Sequence, residues 1–195
     1  MFDSSDEAYL KLDAAMGSGR RALVAGLGAS GRASLEYLLR RGWLASACDS
    51  REKVPGLEGF LSAHPGISVS LGGIPESLPE GVDLVVMSPG ISPWFGPAAS
   101  LCAAARSSGV PVAGEIELFA QELAHLRKTS GYAPKVIGIT GTNGKTTTTT
   151  LTYEILRRAG ANVALGGHSR EHRSQCRDGA SEGRGRGGTP RPLGA

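Results

Sequence analysis

Cysteine is scarce: this chain of 195 residues has three, Cys48, Cys102 and Cys176. Their odd number, wide spacing and lack of any CxxC pair exclude a disulfide framework or a zinc ribbon and suit a reducing compartment. No stretch approaches the ~18 consecutive apolar residues that span a bilayer. The N-terminus, MFDSSDEAYLKLD, is acidic where a signal peptide would be basic and then apolar. A cytoplasmic protein, neither secreted nor membrane-inserted, is the expectation.

Net charge is missing from most of the chain as well. The formal charge of +3 is matched by the last 28 residues, where six arginines face Glu171, Asp178 and Glu182. Residues 1 to 167 therefore sum to zero, and a neutral body gives no electrostatic reason to expect a nucleic acid or an anionic membrane as partner. From His168 onward Leu193 is the only aliphatic residue larger than alanine, too little apolar surface to offset the entropy of ordering the segment. Residues 168–195 are expected to be a disordered Arg/Gly-rich tail. It lacks the interleaved aromatics of an RNA-contacting segment, and its composition is that of a GC-rich reading frame shifted out of register.

What is present is a repeated strand–turn–helix pattern. RALVAGLG (21 to 28) is an apolar run that enters glycines, Ser30 to Arg41 continues at helical spacing to Gly42, and LASACD (44 to 49) is a second run ending in an acid. Further strands are expected at Ile67 to Leu71, Asp83 to Met87 and Val110 to Ala113, with an alanine-rich helix over Pro97 to Ser108. The alternation predicts a parallel sheet wound on both faces. Ile116 to Leu126 places apolar residues at 116, 119, 120, 123, 124 and 126 and reads as a helix lying on a core. RKTSGYAP then reads as a linker. Lys135 to Thr140 (KVIGIT) restarts as a buried strand, a helix with Leu151, Ile155 and Leu156 follows, and Ala161 to Leu165 reads as a further strand. The boundaries drawn are a Rossmann-like domain over 18–126, a linker over 127–134, and the opening of a P-loop α/β domain over 135–167.

Two glycine turns carry the chemistry. Gly26-Leu-Gly28-Ala-Ser-Gly31 lies between a strand and a helix, and Asp49 ends the next strand. Such glycines let a backbone approach a diphosphate at a helix N-terminus, and the acid can accept ribose or base hydrogens. Taken alone, the motif fits NAD, or a packing turn with no ligand. GTNGKTT (141 to 147) has Ile139 where the common GxxxxGK[ST] loop would have its first glycine. Gly141 and Gly144 still free the backbone to curl around phosphates, Lys145 offers a charge for the β- and γ-phosphates, and the Thr146 hydroxyl can ligate Mg²⁺. The second loop suits ATP.

TGTNGKTT resembles the ATP loop of the Mur ligases, cytoplasmic enzymes of peptidoglycan precursor synthesis, which use a shortened GxxGK[ST] pattern. GLGASG (26 to 31), CDSR (48 to 51), SPGI (88 to 91) and GEIELF (114 to 119) resemble the D-glutamate-adding branch of that family. The resemblance covers about residues 20 to 167. It implies that the first domain binds a UDP-sugar: Ala29 and Ser30 would meet the diphosphate or sugar, Asp49 and Arg51 the uracil, and Ser88 and Gly90 the ligand from the next loop. It implies ATP on Gly141, Thr142, Asn143, Gly144, Lys145, Thr146 and Thr147, with Lys145 and Thr146 catalytic and Thr146 on Mg²⁺. The implied reaction is activation of the L-alanyl carboxylate of UDP-N-acetylmuramoyl-L-alanine as an acyl phosphate, then attack by the D-glutamate amine, in a monomer serving cell-wall growth and division. Glu115 and Glu117 read either as catalytic carboxylates or as the acids favoured in a helix's first turn, and stay outside the site. His168 stands where the family's GGN turn has asparagine, and the rest of the ATP domain and the glutamate-receiving domain are not recognised, so this chain alone is expected to be inactive. Other readings are an NAD-binding oxidoreductase module, a folate-glutamate ligase, which would not be expected to carry the first domain's UDP motifs, and a UDP-sugar-binding module without catalysis.

Overall fold

A computed structural model describes residues 19–166. The chain divides between Ala133 and Pro134 into two compact units.

The first unit is a five-stranded parallel sheet, β1 (Arg21–Ala25), β2 (Leu44–Asp49), β3 (Ser68–Leu71), β4 (Leu84–Met87) and β5 (Val112–Gly114), in the order β3-β2-β1-β4-β5. The connecting helices are α1 (Ala29–Arg40), α2 (Leu57–Ala63), α3 (Pro97–Ser107) and α4 (Glu115–Ser130). Strand residues alternate between the two faces, and two cores result. Ala22, Val24, Leu84 and Val86 join Leu35 and Leu38 of α1 and Leu118 of α4. Leu23, Ala25, Val85 and Met87 join Leu101, Cys102 and Ala105 of α3. Burial on both faces is why β1 and β4 read as unbroken apolar runs rather than as alternating patterns. The order reverses beside β1, where β2 and β4 pair with its two edges, and this is where doubly wound sheets open a crevice at the carboxyl ends of their strands.

Two helices of the first unit differ from the sequence expectation. The short helix α2, bracketed by Pro55-Gly56 and Pro65-Gly66, was not expected; with Leu57 as its only buried residue it is too short to show a period. Helix α4 lies only in part on its expected stripe: Leu118 and Gln121 are buried, Ala120, Leu123, Ala124 and Leu126 are half-buried, and Ile116 and Phe119 are 73% and 50% exposed. Its Glu122 accepts from the Tyr37 hydroxyl at 2.9 Å and from Arg41 Nε at 3.0 Å on α1. The same helix runs through Ser130 into the stretch expected as linker and ends at Gly131, in the left-handed conformation (φ +72°).

The second unit contains one regular element among the described residues, α5 (Lys145–Arg158), capped by Gly144 at φ +75°. The strands expected at 135–140 and 161–165 are irregular. A strand's backbone groups are satisfied only by neighbouring strands, and none lies beside these segments among the described residues. Val136 and Ile137 are accordingly 59% and 61% exposed, and no residue of α5 is buried.

Candidate functional site

The carboxyl ends of β1, β2 and β4 bring the first set of predicted residues to one edge of the sheet. After β1 the chain turns through Gly26, whose φ of +94° favours glycine. A Cβ on Gly26 would fall 2.8 Å from Ser88 Cβ and Ile91 Cδ1, and one on Gly31 only 1.8 Å from the Gly26 carbonyl oxygen. Both glycines are required by packing within the protein. Gly28 is not: its φ is an ordinary −69°, and a Cβ there would meet nothing within 4 Å. Gly28 and Ala29 are exposed, while Ser30 is buried in the first turn of α1. The open space therefore lies in front of a helix N-terminus, where the helix dipole favours an anion.

Asp49, at the end of β2, is 2% exposed. Its Oδ2 accepts the Leu27 N–H at 2.7 Å and Arg51 Nη2 at 2.7 Å; its Oδ1 accepts the Arg51 N–H at 3.0 Å and Arg51 Nε at 2.8 Å. A carboxylate has about four lone-pair positions, and these four donors fill them. The Arg51 guanidinium, helped by the two backbone donors and opposed by burial, holds the carboxyl well below the usual carboxylate range. The two arms of this arrangement differ: the backbone donors are part of the fold, whereas the Arg51 side chain is 51% exposed.

Ser88 follows β4. Its N–H donates to the Ala25 carbonyl at 2.9 Å, its hydroxyl donates to the Gly26 carbonyl at 2.9 Å, and its own carbonyl accepts the Ile91 N–H at 3.0 Å. SPGI is thus a hydrogen-bonded turn, and the turn is tied directly to the glycine loop, with Gly90 exposed at its tip. Glu117 accepts the Gly114 N–H at 2.8 Å and caps α4, a structural use of that acid.

In the second unit Gly141 (φ +150°) and Gly144 (φ +75°) curve the loop back on itself. The Lys145 ammonium donates to the Gly141 carbonyl and, at 3.2 Å, to the Thr142 carbonyl. The cation so sits in the mouth of the loop. Asn143, Thr146 and Thr147 are exposed, and the backbone carbonyl of Thr146 accepts the Thr150 hydroxyl at 2.9 Å. Among the described residues no group of three His, Cys, Asp or Glu is arranged to hold a metal ion, and no helix is long and apolar enough to cross a membrane. His168 lies outside the described residues.

Motif reading missed Arg32, the residue after Gly31. Its guanidinium donates to Leu27, Pro55 and Gly56 carbonyls, partners that no local pattern reveals.

The family description "Mur ligase MurD-like, N-terminal domain" matches residues 20–114 and "Mur ligase middle domain" matches residues 139–182, the second running past the point at which motif resemblance stops. The chain is 50% identical over 147 residues to the UDP-N-acetylmuramoylalanine--D-glutamate ligase of Cupriavidus pinatubonensis, 51% identical over 148 residues to that of Paraburkholderia xenovorans, and 47% identical over 146 residues to that of Ralstonia nicotianae. Each alignment covers 75% of this chain and 29% of the relative, so the chain spans less than a third of the length of these relatives. Among solved structures, a shikimate dehydrogenase of Aquifex aeolicus overlaps at 12% identity over 66% of this chain and 57% of that one, with a TM-score of 0.39. With one family's N-terminal and middle domains matched in order, and ligases of that family half identical over three quarters of its length, the chain belongs to the Mur ligase family.

Proposed function

We propose that residues 18–126 bind UDP-N-acetylmuramoyl-L-alanine and that residues 135–167 contribute the phosphate loop of an ATP-dependent ligase that joins D-glutamate to it. The observation that carries this reading is the meeting of three motifs, GLGASG, CDSR and SPGI, at one edge of the sheet, joined by the bonds Asp49–Leu27 and Ser88–Gly26. Gly28, Ala29 and Ser30 present the start of α1 to the diphosphate. Arg51 and Asp49 meet the uracil, Arg51 by swinging from the carboxylate and Asp49 through the acceptor positions thereby released. Ser88 and Gly90 close the site from β4.

In the second unit the curved backbone over Gly141 to Gly144 and the inward Lys145 ammonium fit a nucleotide triphosphate, with Asn143 and Thr147 beside it. ATP supplies the phosphoryl group that activates the L-alanyl carboxylate. Mg²⁺ characteristically keeps several waters and takes few protein ligands beside substrate phosphates, and the exposed Thr146 hydroxyl is the group this chain would offer. Lys145 exchanges its two loop carbonyls for phosphate oxygens, an electrostatic role that needs no protein nucleophile. The chain acts as a monomer in the cytoplasm.

Calorimetry of the chain with UDP-N-acetylmuramoyl-L-alanine and with NAD is the test. Tighter binding of the UDP-sugar is expected. Equal or tighter binding of NAD would replace this reading with a dinucleotide module.

A further inference from the structure

Leu27, inside the glycine turn, has both of its backbone polar groups held by charged side chains from elsewhere. Its N–H donates to Asp49 Oδ2 at 2.7 Å, and its carbonyl accepts Arg32 Nε at 3.1 Å. The rest of the Arg32 fork reaches a different segment, with Nη1 donating to the Gly56 carbonyl at 3.2 Å and Nη2 to the Pro55 carbonyl. The Phe60 ring of α2 lies 6.0 Å from the guanidinium carbon. One planar group in the first turns of α1 thus fastens the β1–α1 turn to the far end of the segment that begins at Asp49 and Arg51. Only a guanidinium offers donors in this fixed fan; an ammonium on a similar stem is a single point donor.

Those two loops are the ones that would receive the two ends of one ligand. Resting on the UDP-sugar reading above, we propose that Arg32 is a positioning residue that sets the separation between the diphosphate seat at the start of α1 and the uracil seat at residues 49–51. Arg32 itself touches no ligand. Its effect is that a molecule carrying both a uracil and a diphosphate gains from both seats at once, because their spacing is fixed before binding.

The test compares wild type, Arg32→Ala and Arg32→Lys in the full chain by calorimetry with UDP and with uridine, at a temperature where circular dichroism shows each variant folded, together with amide exchange of the unliganded proteins. Arg32→Ala is expected to weaken UDP at least tenfold, to change uridine less than threefold, and to speed exchange over residues 50–56. Arg32→Lys is expected to fall between, and it carries the test should Arg32→Ala not fold. A merely structural arginine would lower the melting temperature and leave the ratio of UDP to uridine affinity unchanged in the folded protein; that result would overturn the proposal while leaving the ligand reading intact. A wild-type chain that binds no UDP would overturn the ligand reading, and this inference with it.

Discussion

Asp49 accepts the Leu27 N–H at 2.7 Å, so the acid that ends β2 fixes the peptide that leaves β1. The bond is buried and charge-assisted, and it makes this carboxylate a structural member of the site before any ligand arrives. Asp49→Ala would orphan a buried N–H and release Arg51. A loss of stability of about 1–3 kcal/mol is expected, measured as a fall in the urea midpoint.

The same group sets an acid limit. Its folded-state pKa is depressed by Arg51 and the backbone donors, so its contribution is present above the ordinary aspartate value of about 3.9 and is lost as pH falls from there through the lower folded value. Urea unfolding of wild type and Asp49→Asn between pH 7 and 3 should show a stability gap that narrows below about pH 4. A gap constant over that range would exclude Asp49 as its source.

Gly28 and Gly31 should separate ligand binding from folding. A Cβ on Gly31 would stand 1.8 Å from the Gly26 oxygen, a backbone atom, so Gly31→Ala is expected to destabilise by ~3 kcal/mol or more. Gly28→Ala meets no atom within 4 Å and should change stability by no more than about 0.5 kcal/mol. Its methyl projects into the open space before α1, and UDP affinity should drop about tenfold, or ~1.4 kcal/mol. Thermal melts and calorimetry on both variants check the pair.

Tyr37, Arg41 and Glu122 tie α4 to α1, and the tyrosine records it. Burial first, then the hydrogen bond to Glu122, pushes its hydroxyl up to about 12. An ultraviolet titration should show a high-pH component, above the usual ~10, that Tyr37→Phe removes. Stability from this group is intact below about pH 10 and is lost as pH rises toward its folded value. Glu122→Ala should cost about 1 kcal/mol, toward the exposed-pair range because both partners are partly solvated.

Helix α5 should behave as one that buries none of its own residues among those described. Leu151 and Ile155 are 59% and 57% exposed, so amides of α5 are expected to exchange near the unprotected rate while those of β4 stay protected. A loop so supported is shaped for phosphate but weakly preorganised, and the chain is expected to release no phosphate with ATP, UDP-N-acetylmuramoyl-L-alanine and D-glutamate together. Turnover at even about one percent of that of a curated Mur ligase relative would contradict this.

By itself, the sequence determined the features that arise from near neighbours along the chain. The apolar runs at 21–25 and 84–87 announced strands buried on both faces, Gly26 and Gly31 announced a tight turn into a helix, and the strand order brings the glycine turn, Asp49 and Ser88 to one edge of the sheet. Tertiary structure decided what depends on partners far apart in the chain. Asp49 draws its donors from Leu27 and Arg51 together, and Arg32 finds carbonyls at both Leu27 and Pro55-Gly56. Helix α4 buries Leu118 and Gln121, leaves Ile116 and Phe119 exposed, and is tied to α1 where Tyr37 and Arg41 donate to Glu122. KVIGIT carries every local mark of a strand and forms none, because local propensity fixes only a preference, whereas a strand exists when another chain segment lies beside it to complete its hydrogen bonds.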